Sequence, residues 1–314
     1  MSTSWVAGTV RAKALARRRL GAAGARELAT RPTFVEALEA LSRTSYGHDV
    51  RTGQSLGEAQ HAVGASLLWN MRVLAGWLPR GGADVIRLLA AGFEVANVDE
   101  HLARLYGEPA DPPYVLGTLD TAWSRVSTQT TFDGVVEALS TSPWRIRGTG
   151  TRREVHIGLR LAWADSTIAR LPEAAGWARA GAALLLLREL LLEARPLPGP
   201  LLQRAAYVLG PAFAAAATDR LPDLALTAAT LPPDARWVTD GLDRPQDLWR
   251  GEVRWWRRIE RDGFALLRVS GFDRRPVVGA VAVLATDAWR VRAALETATR
   301  GGAGAALEAF DGVA

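Results

Sequence analysis

The residues able to do chemistry are few and widely spaced. Histidines stand at His48, His61, His101 and His156, and no two share the i, i+4 spacing of a helical zinc site. There is no cysteine, which removes thiolate metal sites, iron–sulfur ligation, disulfides and cysteine nucleophiles together. Lys13 is the only lysine, and it lies among alanines and arginines rather than after a glycine loop, so a P-loop has nothing to reach the phosphates. The glycines of Gly148-Thr149-Gly150 and Gly301-Gly302-Ala303-Gly304 lack the third glycine and the preceding strand of a dinucleotide fingerprint. Ser66, in Gly64-Ala65-Ser66-Leu67-Leu68, lacks the second glycine of a nucleophile elbow. Asp99-Glu100 before His101 suggests a proton relay, but the spacing fits a solvated helix face better. Catalysis would require Asp99, Glu100, Asp165 and Asp240 to converge in three dimensions. The expectation is a chain without catalytic residues, cofactor or metal.

One local cluster suggests binding instead. In Arg254-Trp255-Trp256-Arg257-Arg258, adjacent helical residues point about 100° apart, so both tryptophans cannot centre one narrow stripe. Either one is core and the other packs on a neighbouring helix, or the pair with its arginines forms a partner-binding edge, since Trp and Arg are enriched in interface hot spots.

The elements that must position these groups are helical throughout. Thr9–Leu20 reads as a basic amphipathic helix, and Thr33 with Glu36 signs the start of a helix through Leu41. His61–Leu78 carries apolar residues at three-and-four spacing and ends at Pro79 and Gly81-Gly82. Asp84 then reads as the cap of a helix through Tyr106. Asp111-Pro112-Pro113 reads as a turn, Gly148–Arg153 as an exposed loop, Pro196–Pro200 as a stiff connector and Leu231–Asp234 as a further break. A last long helix carries Val277, Val281, Leu284, Ala288, Val291 and Leu295. No period-two alternation requires a sheet, so the expected fold is all-α.

Composition agrees with a globular chain: 48% of the 314 residues are hydrophobic and 23% charged. The net charge of +5 is carried by 38 − 1 = 37 arginines beside the single lysine. This charge is spread rather than clustered, which argues against a dedicated nucleic-acid face. The most apolar stretch, Ala180–Ala194, is too short for a membrane span and contains Arg188 and Glu189. Arg11, Lys13 and Arg17 to Arg19 break up the N-terminus, which reads as lacking a signal peptide.

The chain also repeats itself. Phe34-Val-Glu-Ala-Leu-Glu-Ala-Leu-Ser-Arg-Thr-Ser-Tyr46 is echoed by Phe132-Asp-Gly-Val-Val-Glu-Ala-Leu-Ser-Thr-Ser-Pro-Trp144 at an offset of 132 − 34 = 98. A second match, shifted by 287 − 94 = 193, lays Val85, Leu88, Ala91, Glu94, Val98 and Leu102 on Val278, Val281, Leu284, Asp287, Val291 and Leu295. An acidic residue thus falls at the same point of two apolar stripes. Such a period is too long for a solenoid and points to a small helical unit used a few times.

The order of these segments resembles the C/d family of central-stalk proteins from archaeal-type and V-type rotary ATPases. The resemblance rests on Gly8-Thr-Val-Arg-Ala12, Leu41-Ser-Arg-Thr-Ser-Tyr46, Phe93-Glu-Val-Ala-Asn-Val98 and Asp287-Ala-Trp-Arg-Val-Arg292, with Arg11, Thr44, Tyr46, Glu94, Asn97, Asp287 and Arg292 at the motif positions. It spans roughly residues 5–300. Arg290 stands where the family often has Asn, Asp99 where a basic residue is common, and Gly176–Glu193 has drifted.

The resemblance implies one funnel-like helical domain over residues 1–314, made of three pseudo-repeated bundles near 1–115, 116–215 and 216–314. It also implies a non-catalytic central-stalk component of the rotor. Such a component seats the central shaft on the membrane proteolipid ring, on the cytoplasmic face of the cell membrane, and couples rotation to proton or sodium transport. Its partners would be those ring and shaft proteins, with no nucleotide or nucleic acid of its own. Two alternatives stand beside it: a basic helical adaptor for nucleic acid or anionic lipid, and an all-α enzyme with an unrecognised carboxylate site.

Overall fold

The computed structural model describes residues 5–218 and 224–301, and every regular element among them is helical. In chain order the α-helices are α1 (Val6–Arg17), α2 (Gly21–Ala29), α3 (Phe34–Ser42), α4 (Leu56–Gly76), α5 (Arg80–Leu105), α6 (Trp123–Val126), α7 (Phe132–Ser140), α8 (Arg152–Arg170), α9 (Ala175–Leu187), α10 (Gly199–Leu209), α11 (Pro211–Thr218), α12 (Leu224–Ala229), α13 (Pro233–Arg236), α14 (Leu248–Arg268) and α15 (Arg274–Thr299). The fold is all-α, as the periodicity predicts.

Several boundaries follow the side chains that cap them. Thr33 accepts from Glu36 N at 3.2 Å and starts α3, while Ser55 and Glu58 form a reciprocal capping box at the head of α4. Other boundaries depart from the sequence reading. The basic stretch Thr9–Leu20 is not one helix: α1 ends at Arg17, and Gly21, at φ 77°, turns the chain into α2. Asp84 lies inside α5 rather than at its start, because the Pro79 carbonyl takes the first amides, from Gly82 N at 2.7 Å and Ala83 N at 3.0 Å. Gly81 and Gly82, expected to end a helix, sit in that first turn. Arg152 and Arg153, expected in a loop, belong to α8, which Thr151 caps through Glu154 N.

The chain divides into two compact units, Met1–Ile86 with Tyr114–Thr118 and Ile259–Ala314, and Arg87–Pro113 with Leu119–Arg258. The first is organised around α15. That helix is apolar on nearly every side, so it is buried on nearly every side, with α1, α2, α3 and α4 packed against it. Leu28, Leu38, Leu41, Val63, Val291 and Leu295 form its core. The last turns of α14 approach α15 so closely that a Cβ on Gly279 would lie 2.5 Å from the Gly263 carbonyl oxygen.

In the second unit α8 and α9 pack together and α10 lies against both, around Ile157, Leu161, Leu186, Leu187, Leu201 and Phe213. A second cluster there joins Val95, Val98 and Leu102 of α5 to Val126, Leu139, Ile146 and Leu159.

Elements recur along the chain at a steady interval. Helices α4, α8 and α14 begin at 56, 152 and 248, steps of 152 − 56 = 96 and 248 − 152 = 96. Helices α3, α7 and α13 begin at 34, 132 and 233, steps of 98 and 101. Helices α5, α9 and α15 begin at 80, 175 and 274, steps of 95 and 99.

Candidate functional site

The residues that the motifs single out assemble into two copies of one device. In the first unit, Asp287 on α15 is 1% exposed. Its carboxylate accepts from Leu20 N at 2.9 Å, Gly21 N at 2.7 Å and the Tyr46 hydroxyl at 2.9 Å. The amides belong to the turn that opens α2, and Tyr46 closes the repeated phrase that begins with α3. One carboxylate therefore ties α15 to the start of one helix and the end of another.

In the second unit, Glu94 on α5 is also 1% exposed. It accepts from Thr121 N at 2.7 Å, Ala122 N at 2.8 Å and the Trp144 indole N–H at 2.7 Å. Those amides lead into α6, and Trp144 closes the second copy of the phrase. The supporting contacts match as well. Thr44 Oγ1 accepts from Tyr46 N at 3.2 Å and donates to Leu41 O at 2.7 Å, while Ser142 Oγ accepts from Trp144 N at 3.1 Å and donates to Leu139 O at 2.7 Å. Thr33 and Thr131 cap α3 and α7 in nearly the same backbone conformation.

Burying a carboxylate is costly unless donors satisfy it, and here each has three. Burial lifts the Glu94 carboxyl above its ordinary range, against the pull of the Trp144, Thr121 and Ala122 hydrogen bonds. Burial first, and then the Asp287 charge that accepts its proton, push the Tyr46 hydroxyl well above the usual tyrosine value. In the middle set the equivalent position, 94 + 95 = 189, is Glu189, in the π-helical turn Arg188–Leu192 that continues α9, and its carboxylate accepts from Arg153 Nε at 2.5 Å.

The other motif positions lie apart from the anchors' donors. Asn97 is buried one turn after Glu94, Arg11 is half-buried on α1, and Arg292 is exposed on α15. Arg290 is 1% exposed and forms a two-pronged ion pair with Glu260.

The Arg254–Arg258 cluster spends much of its chemistry internally. Trp255 donates its indole N–H to Trp177 O at 2.7 Å and meets Trp256 edge-on, with ring centroids 4.7 Å apart. Arg254 donates to Val238 O at 3.0 Å, and the Arg258 guanidinium lies over the Trp237 ring at 5.2 Å. Trp256 and Arg257 are half-buried.

The expected solvated face at Asp99–His101 is not what forms. His101 is buried, with Nε2 2.9 Å from Gln129 O. Asp99 Oδ2 lies 2.6 Å from His156 Nδ1, and Arg160 donates from Nε to His156 Nε2 at 2.8 Å. With Nε2 accepting, the imidazole donates from Nδ1 to Asp99, and no ring nitrogen is left for a substrate. Burial lowers the Arg160 pKa. His156 and Arg160 could have been paired by their i, i+4 spacing on α8, but Asp99 is 57 residues away and gave no local signal.

A feature missed in the sequence is an open cleft of about 1070 Å³ in the second unit, lined by Arg145, Arg147 and Arg204, with Asp165 as the only acidic side chain among the described residues that line it. Asp99, Glu100 and Asp240 do not border it. Among the described residues no three of His, Asp and Glu are grouped to hold a metal ion, and no helix is long and apolar enough to cross a membrane. Comparison with protein-family models gives no match, and comparison with curated protein sequences gives none.

Proposed function

We propose that this chain is a non-catalytic central-stalk component of an archaeal-type or V-type rotary ATPase. In this reading it seats the central shaft on the membrane proteolipid ring and carries torque between them, on the cytoplasmic face of the membrane. The observation that carries the reading is the repeated carboxylate anchor. Tyr46, Glu94 and Asp287, three of the motif positions, are residues that make it, with Thr44 in support.

Further support comes from the element order, which recurs at intervals of 95 to 101 residues through three successive sets of helices. We read these as three pseudo-repeats, with the middle carboxylate, Glu189, paired to Arg153. A torque-bearing adaptor needs helices that do not slide on their neighbours. A buried carboxylate holding two backbone amides and an aromatic donor supplies a directional lock that apolar packing alone lacks.

The test is purification of the tagged full chain from detergent-solubilised membranes of its native cells. The ring proteolipid and shaft proteins should co-elute with it in a nucleotide-hydrolysing complex. Elution without any ATPase component would end the assignment.

A further inference from the structure

The second unit carries a feature that its counterpart in the first lacks. Immediately after Trp144 the chain runs Arg145-Ile146-Arg147-Gly148, whereas after Tyr46 it runs Gly47-His48-Asp49-Val50. The copies agree up to the anchoring aromatic and then diverge from Gly and Asp to two arginines, at positions 47 + 98 = 145 and 49 + 98 = 147.

The loop is held so that both arginines face outward. Arg145 adopts φ 49°, unusual for a residue with a Cβ, and Gly148 adopts φ 68°. Ile146 between them is 1% exposed and packs in the core with Leu139 and Leu159, while Arg145 and Arg147 are exposed. Trp144, pinned by Glu94, fixes one end of the segment. Arg204 of α10 fixes it from across the cleft by donating to the Arg145 and Trp144 carbonyls. Arg204 also feels the charge of Asp165 in the same cleft, whereas the Arg147 guanidinium has no partner among the described residues. The formal charge of the cleft lining is 3 − 1 = +2, and beside it stands Tyr207, 74% exposed on α10.

We propose that this cleft is a docking site for an acidic segment of a partner protein, one with carboxylates at alternating positions around an apolar side chain. Arg145 and Arg147 both line the cleft on either side of buried Ile146, so they offer two guanidiniums to one occupant, as successive outward residues of an extended partner would present two carboxylates. Trp144, Leu161 and Val208 give the cleft an apolar floor for the intervening side chain. Exposed Tyr beside unpartnered Arg is the composition of an interface hot spot. The proposal does not depend on the rotary reading.

The probe is a fluorescein-labelled peptide of alternating glutamate and leucine, with a glutamine-for-glutamate peptide as its neutral control. Both are titrated into the full-length protein at moderate salt by fluorescence anisotropy. The acidic peptide should bind at one site and the neutral peptide should not. Arg147→Glu should weaken binding by about tenfold or more, and Arg145→Glu combined with it should abolish binding, because reversal turns a paired charge into a repulsive one.

Arg170→Glu, an exposed change of equal charge on α8, should leave binding unaltered, and circular dichroism should show all variants folded. Equal binding of the neutral peptide, or equal weakening by Arg170→Glu, would overturn the proposal. Stoichiometric binding of inorganic tripolyphosphate that displaces the peptide and is itself lost in Arg147→Glu would overturn it too, by assigning the cleft to small oligophosphates.

Discussion

Tyr46 and Trp144 are different side chains performing one task. Each supplies a single donor to a carboxylate that is 1% exposed, so removing either donor leaves a buried acceptor short. Tyr46→Phe keeps the ring and deletes only the hydroxyl, and should lower stability by about 1.5–3 kcal/mol in urea unfolding, the range for a hydrogen bond to a charged group. Trp144→Phe should cost more than Tyr46→Phe, because it also opens a cavity where the indole packs against Ile146 and Leu139. Asp287→Asn should be worse than Tyr46→Phe, since an amide N–H₂ would face the Leu20 or Gly21 N–H. If Asp287→Asn unfolded at the same urea concentration as the parent, the anchor would be incidental.

Helix α15 owes its start and its close packing to particular residues. Asp273 caps it, accepting from Arg275 N at 2.8 Å, and its contacts with the Arg275 side chain hold its carboxyl below the ordinary value of 3.8. A depressed folded value means the contribution is present above 3.8 and is lost as pH falls below it. Asp273→Ala should therefore cost about 1 kcal/mol near neutrality, and the difference from the parent should vanish in acid. A difference unchanged down to the acid limit would mean that the carboxylate is not the cap.

Gly279→Ala should be the more damaging change in this helix. Its new methyl would meet the Gly263 carbonyl at 2.5 Å, which α14 relieves only by shifting away. At this scale the sequence was informative where apolar spacing and caps agreed, as at Thr33 and along Val277–Leu295. It misled where backbone carbonyls did the capping: nothing in Asp84 reveals that Pro79 O had already taken the first amides of α5.

For the molecule as a whole, the helical class and the internal echo were legible because both are periodic. The echo pointed to Tyr46 and Trp144, and the second match to Glu94 and Asp287, but their meeting was not readable. The partners are 241 and 50 residues apart, and periodicity says which face a residue occupies without saying what lies opposite. The arginine cleft was illegible for the same reason: Arg204 lies 59 residues from Arg145, and composition had shown only a diffuse positive charge. His101 was misread because a polar sequence neighbourhood, Asp99-Glu100, hid a histidine that turns inward to Gln129 O.

The role we propose for the whole molecule is mechanical: conveying rotation between shaft and ring. The most direct measurement is ATP-driven ion uptake, followed alongside ATP hydrolysis, in membrane vesicles from cells with and without the chain. Loss of the chain should abolish ion uptake while the catalytic components released from the membrane still hydrolyse ATP, and restoring it should recover coupling. Undiminished ATP-driven uptake in vesicles lacking the chain would contradict the claim.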